Sequence, residues 1–554
     1  MTGQHTQRWI ISFCCAAVFC GVAVNASEEQ LTVDFHPDPD RLVAHTAFLA
    51  DDLLEGREAG TPGHERASLY IATEFRKLGL QPAGTDGYLQ RIDFRRSRLK
   101  TDSLRAVLNT PGEERELTFL DDYYVGASLV RTASSLDCEM VFVGYGIVAQ
   151  PLDYDDYQGV DVQDKCVVAF KGKPAWFPSE QGAHFSKLKV KNAADRGAIG
   201  FISLTTPESL ERFPFEKYRE RVGRARMTWL YDDGSLFNAK PRIQSSITPS
   251  PAVAASLFVA TEKDLDDLYA MLETEERFVP FPIPGRLQLE KGSQHEAVTS
   301  PNVVALLEGS DPVLKHEYVV FSAHSDAIGM KQGEAGEDLI INGALDNASG
   351  IATMLEVARL FSGMEVAPRR SVVFAAMTAE EKGLLGAYYF AEHPTVPVQS
   401  MVANVNLDMP ILLYEFADII AFGAGHSDMG GTVSRAAAAE SLELTPDPWP
   451  EQGYFTRSDH YAFVKQGIPA VFVKGGIKAR DPSVDALEVD KDFRKHHYHQ
   501  VSDDMRLPIK WDAAVTFTRV NARIALELAN QPSRPRWNDG DFFGETFARE
   551  TAAE

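Results

Sequence analysis

FSAHSDAIGMKQGEAGEDLIINGALDNASG, residues 321–350, places His324 and Asp326 just past an apolar run and Asp346 just before a glycine that opens a helical stretch. Upstream, EYVVF (317–321) reads as a buried strand. Downstream, SGIATMLEVARLF (349–361) repeats apolar residues at helical spacing. The same alternation continues outward. NVVALLEG (302–309), SVVFAAMT (371–378), VANVNLDM (402–409) and AVFVKGG (470–476) are short apolar runs, with helical LLGAYYFAEH (384–393) and GGTVSRAAAAESL (430–442) between them. Such a rhythm predicts an α/β fold with a mainly parallel central sheet flanked by helices, closed by a helix over WDAAVTFTRVNARIALELANQ (511–531).

The chain is 554 residues long, too long for one typical domain. Residues 41–84 read as helices and residues 87–125 as alternating strands. Near Ala127 the texture changes to short strand-like runs, CEMVFVGYGIV (138–148), DKCVVAFKG (164–172) and AIGFISLTT (198–206). A mixed α/β unit over residues 126–295 is therefore expected. It would be inserted into a discontinuous domain made of residues 27–125 and 296–531, with a flexible tail at 532–554.

The formal charge of -24 argues against a nucleic-acid-binding surface, which needs a basic face. Residues 1–26 read as a signal peptide: Arg8 is the positive flank, Trp9 to Val24 the apolar core, and Val24-Asn25-Ala26 the small-residue cleavage site. The apolar run is shorter than the ~20 residues a spanning helix needs, so export to the periplasm or medium is expected rather than anchoring. Of five cysteines only Cys138 and Cys166 lie beyond that segment, and the sequence leaves open whether they pair.

Ligands of open α/β sheets gather beyond the carboxyl ends of strands, and acids and histidines recur at those places here. His324 and Asp326 follow one apolar run, Glu380 and Glu381 another, and Asp408 ends a third. Asp346 precedes a helix, and His499 lies in HHYHQVSDD (496–504). Singly each has a plain explanation: acids complement a helix dipole, Asp346 caps a helix, Asp408 makes a turn, and the histidines form a solvated cluster. Together, at successive strand ends, they describe a metal site.

The strings AHSD, GALDNASG, TAEEKGLLG, NLDMP, RSDHYAFVKQGIPAVF and YHQVSDD closely resemble those of the co-catalytic zinc exopeptidases. That family includes bacterial leucyl aminopeptidases, glutamate carboxypeptidase and the non-enzymatic transferrin receptor. The likeness runs from Asn302 to Asp504, and VFVGYGIVAQPLDYDDYQGVDVQDKCVVAFKGKP (141–174) resembles the opening of a protease-associated domain. The resemblance implies two Zn²⁺ ions, with His324 and Asp408 on one, Glu381 and His499 on the other, and Asp346 bridging. Three carboxylates fall one charge short of balancing two divalent ions, which a shared hydroxide would supply. Two imidazoles among five ligands favour zinc over magnesium or calcium.

The resemblance further implies Glu380 as general base, Asp326 orienting His324 through its second ring nitrogen, and Tyr498 as a donor to the oxyanion. It also implies a cis peptide at Asp346-Asn347. Ser458, Asp459 and His460 are expected to shape the pocket wall rather than ligate, and Leu345 stands where many relatives carry a polar residue. The expected activity is that of an exported aminopeptidase acting on peptides. A carboxypeptidase or dipeptidase, a non-catalytic receptor-like protein and a one-zinc glutamine-cyclising transferase are the alternatives. Complete ligands argue against the last two.

Overall fold

The computed structural model describes residue 1, residues 33–334 and residues 336–549. Apart from Met1, the expected signal peptide lies outside the described residues. The ordered chain begins with α1 (Pro39–Leu49) and α2 (Pro62–Lys77). Each has a proline in its first turn and a side-chain cap, from Asp38 and Thr61, which satisfies backbone N–H groups that a helix start leaves free.

A long strand, β1 (Leu89–Thr110), follows. Next come β2 (Ala133–Phe142), β3 (Cys166–Phe170), β4 (Gly200–Leu204) and β5 (Ser245–Pro249), which build the second lobe. The 27-residue β6 (Phe281–Leu307) then returns to the first lobe. That lobe is completed by β7 (Tyr318–His324), α3 (Ser349–Ser362), β8 (Ser371–Met377), α4 (Leu385–Glu392) and β9 (Met401–Leu407). After these come β10 (Asp418–Phe422), β11 (Ala470–Gly475), α5 (Ala486–His496) and α6 (Trp511–Asn530).

One sheet of 16 strands runs through both lobes, in the order β10–β11–β9–β7–β8–β6–β2–β3–β4–β5 along its main path. In the first lobe β7 pairs in parallel with β8 and β9, and β9 with β11, while β6 and β10 pair antiparallel at the flanks. Strand β6 carries the sheet across. Its Val303–Leu307 end pairs with β8, its Arg286–Val303 stretch with β1, and its Phe281–Gly292 part with β2. The boundary expected between residues 295 and 296 thus falls inside a strand.

The parallel strands read as continuous apolar runs because both their faces are covered. In β8, Val372, Phe374 and Ala376 meet the core beneath α1, α2, α3 and α6, with Leu42, Phe75, Met354 and Phe517. Val373, Ala375 and Met377 alternate to the other face, against Phe390 and Phe463. The second lobe has its own core around Met140, Phe142, Phe170 and Phe258. Cys138 and Cys166 are joined there in a disulfide across neighbouring strands β2 and β3, which settles a pairing the sequence left open.

The segment after Pro532, expected to be a flexible tail, is instead packed as far as the described residues go. Phe543 is fully buried, the Trp537 indole N–H donates to the Gly467 carbonyl at 2.9 Å, and Phe542–Phe547 forms a short helix. Aromatic side chains in a short polar segment gain enough by burial to order it.

Candidate metal centre

Because β7, β8 and β9 are parallel neighbours, their carboxyl ends open on one edge, and the loops leaving them converge. His324 is the last residue of β7, Glu380 and Glu381 follow β8 by three and four residues, and Asp408 follows β9 directly. Asp346 enters from the turn before α3 and His499 from the turn after α5. Ala379 (φ 53°), Met409 (φ 45°) and His499 (φ 60°) hold left-handed backbone at or beside three of these residues. Non-glycine residues adopt that conformation at a cost, and such residues cluster at functional sites. The Asp346-Asn347 peptide is cis.

Two donor sets result, one of His324, Asp346 and Asp408 and one of Asp346, Glu381 and His499. The His324 Nε2 atom lies 3.2 Å from Asp346 Oδ1 and 3.4 Å from Asp408 Oδ1. On the other side His499 Nε2 lies 3.2 Å from Asp346 Oδ2 and 3.1 Å from Glu381 Oε2. Asp346 therefore gives one carboxylate oxygen to each set. Ligands placed tetrahedrally around zinc at ~2.0–2.1 Å sit roughly 3.3 Å apart, so these spacings fit such an ion. Glu381 Oε1 is buried without a hydrogen-bond partner, as a group awaiting a cation would be.

The electrostatics tell the same story. Burial pushes the His324 imidazole down, but Glu380, Asp346 and Asp408 outweigh it and hold the ring well above its ordinary value. Burial likewise opposes His499, yet Glu381 and Asp346 raise it to about 10. Burial raises Asp346, but its hydrogen bonds to both imidazoles pull it below the usual carboxylate range. Glu380 is driven well above its ordinary value by burial first, with Asp408 and Glu381 adding and His324 opposing. The carboxylates raise both imidazoles and add to the rise of Glu380, a crowding of negative charge that bound cations would relieve.

Asp326 departs from its expected role. Its carboxylate lies 3.9 Å from His324 Nδ1, outside hydrogen-bond range, and that nitrogen faces the Asp326 carbonyl oxygen at 3.2 Å. The carboxylate instead accepts the Glu380 backbone N–H at 3.0 Å and faces that of Glu381 at 3.4 Å. It fixes the base-bearing turn rather than the ring. Tyr498 stacks on His499 with ring centroids 3.7 Å apart. Burial, with Asp346 and Glu381 adding, raises its phenol well above the usual range and so keeps it a donor.

Ser458 accepts the Asn406 side-chain amide at 2.7 Å, and Asp459 is fully buried with both oxygens unpartnered. Burial raises Asp459 to about 8 against the opposing effect of His324, with Asp408 and Asp326 adding to the rise.

Sequence reasoning missed the supports of the bridging turn. Asp503 accepts the N–H groups of Leu345 and Asp346 at 2.9 and 3.0 Å. Buried Arg57 donates to the carbonyls of Asn342, Gly343 and Ser325 at 2.5, 3.1 and 3.1 Å. Asn347 clamps β9 by donating to the Leu407 carbonyl at 2.9 Å and accepting the Met409 N–H at 3.1 Å. Asp503 stood within the quoted YHQVSDD string, whereas nothing near Arg57 in sequence pointed to a partner 285 residues away.

Residues 302–525, which contain the whole donor set, match the family model described as Peptidase family M28. The likeness to family M28 is confined to that segment, which is under half of the chain. Among curated proteins, Aminopeptidase NAALADL1 of Mus musculus is 30% identical over 267 residues, which is 40% of this chain and 33% of its own. The probable leucine aminopeptidase 2 of Aspergillus oryzae is 28% identical over 257 residues, 43% of this chain and 48% of its own. The chain thus spans less than half the length of these relatives. A solved aminopeptidase from Aneurinibacillus sp. strain AM-1 superposes with a TM-score of 0.53 at 19% identity, covering 90% of this chain and 95% of that one. At that identity the likeness speaks for the fold, which the M28 segment shares. No helix among the described residues is long and apolar enough to cross a membrane.

Proposed function

We propose that the protein is an exported two-zinc exopeptidase, an aminopeptidase acting on peptide substrates, with residues 126–295 as a protease-associated domain. The observation that carries this reading is Asp346, whose two carboxylate oxygens face separate imidazole-carboxylate sets at 3.2 Å each. His324 and Asp408 would hold one ion, Glu381 and His499 the other. When bound, two such ions lower the pKa of a water and polarise a carbonyl.

The chain's own groups supply the rest. Glu380, held basic first by burial and further by Asp408 and Glu381, takes the proton of the attacking water and delivers it to the leaving amine. Asp326 keeps that carboxylate in place through the backbone N–H of Glu380. Tyr498 donates a hydrogen bond from its hydroxyl to the oxygen that becomes negative in the tetrahedral state. The Cys138–Cys166 disulfide supports an oxidising, exported compartment.

The test combines metal analysis of the purified protein with turnover of peptide libraries, one blocked at the amino end and one at the carboxyl end. Two zinc ions per chain, with cleavage abolished by amino-end blocking alone, is the expected result. Cleavage abolished only by carboxyl-end blocking makes it a carboxypeptidase. No turnover by a two-zinc protein makes it a binding protein.

A further inference from the structure

The second lobe contains a cavity of about 160 Å³ whose lining includes Ser128, Arg226, Thr228, Lys240, Ser245 and Lys291. No carboxylate lines it. In a chain carrying a formal charge of -24, three cations around a hollow without an acid are out of keeping with the rest of the molecule.

The local structure accounts for how they come together. Along β6 the inward positions Leu287 and Leu289 are apolar and buried, and the next inward position is Lys291, only 6% exposed. Lys291 is held in regular register opposite Ser134 of β2, while the β1 partners of β6 jump from Arg105 at Glu290 to Lys100 at Gly292. The Lys291 ammonium donates to the Gly126 carbonyl at 2.9 Å, and the Arg226 guanidinium donates to the next carbonyl, Ala127, also at 2.9 Å. Arg226 and Thr228 share a face of the strand Arg226–Trp229. Among the described residues none of Arg226, Lys240 and Lys291 has an ion-pair partner, and the Ser245 hydroxyl, 3% exposed, has no hydrogen-bond partner.

Of the three cations Lys291 is the buried one, Arg226 being exposed and Lys240 half-exposed, and a buried cation without a counter-charge is costly. We propose that this cavity binds a compact oxyanion, phosphate-like or a simple carboxylate, between Arg226 and Lys291, with Ser245 and Lys240 at its edge. Burial, reinforced by Arg226, pushes the Lys291 ammonium down to about 8, and an anion in the cavity would reverse that push. A free amino acid fits poorly, because its ammonium would meet cations and no acceptor acid. The proposal does not rest on the exopeptidase reading.

The test is calorimetric titration of the full chain with inorganic phosphate, acetate and glycine at constant ionic strength, zinc-loaded and after chelation. Phosphate or acetate should bind tighter than about 1 mM in both forms and glycine should not. Arg226→Ala and Lys291→Met should each weaken binding ~10-fold or more. Lys240→Ala, on a half-exposed side chain, should weaken it less and fold normally. Binding that disappears on chelation but survives these substitutions would put the anion at the metal centre and overturn the proposal. So would an absence of binding at millimolar anion, or glycine binding as well as acetate.

Discussion

The metal centre and the second-lobe cavity are opposites. In the first, four carboxylates crowd two imidazoles. In the second, Arg226 and Lys291 stand without an acid. Both arise where the sequence puts an ionisable group at a position that should be apolar or solvated, and both are incomplete without a ligand of opposite sign. They differ in how their residues are gathered. The metal centre draws on parallel strands ending at one edge, so its parts come from short local motifs. The cavity draws on one long antiparallel ribbon and on strands from distant parts of the chain.

Breaking the bridge should have the largest effect. Asp346→Ala should lose both ions together and all measurable turnover, as read by metal analysis and peptide assay, while phosphate titration of the cavity stays unchanged. Retention of one full equivalent of zinc would show that the two sets are independent. Glu380→Gln should keep both ions and lower kcat by ~10²–10⁴-fold, since that is what general-base catalysis supplies. Tyr498→Phe should cost ~10²–10³-fold in kcat with little change in KM, as removal of an oxyanion donor does. A near-normal kcat would reduce Tyr498 to packing against His499.

The smallest effect expected is on stability, at the contact between lobes. His426 Nε2 lies 2.6 Å from Glu180 of the second lobe, and its Nδ1 lies 2.6 Å from Asp541. Burial opposes protonation of this ring, but Glu180 and Asp541 outweigh it and raise its pKa. A raised folded value means stability that is fully present below the unfolded value of about 6.5 and fades as pH climbs through the folded one. His426→Ala should cost about 1–2 kcal/mol at pH 6 and flatten that pH dependence, measured by denaturant unfolding. Equal losses at pH 6 and pH 9 would remove the charge from the account.

Much of this was legible in the chain itself, for physical reasons that also mark where legibility stops. His324, Glu381 and Asp408 could be placed because an apolar run bounds each one, and parallel strands bring such ends together. The orientation of Asp326 could not, since its two hydrogen-bonding options, ring or backbone, differ only by rotation about side-chain bonds. Arg57 acts through carbonyls, which every residue has, so no pattern flags its partners. The boundary expected at residue 295/296 fell inside β6 because the buried positions there are held by Lys291 and Ser293 rather than by the apolar residues that usually mark a strand. The packed end of the chain was misread for a different reason: a few aromatics spread among charges have no periodicity.

The unbroken strand between the lobes has a mechanical meaning. From Arg286 to Val303, β6 pairs with β1 in two runs separated by one register shift, with Asn109 opposite one end and Leu89 opposite the other. A ribbon of that length acts as a splint. It can twist, but it cannot fold like a clasp without tearing its own ladder. Heating should therefore melt the two lobes as one body, in a single calorimetric transition.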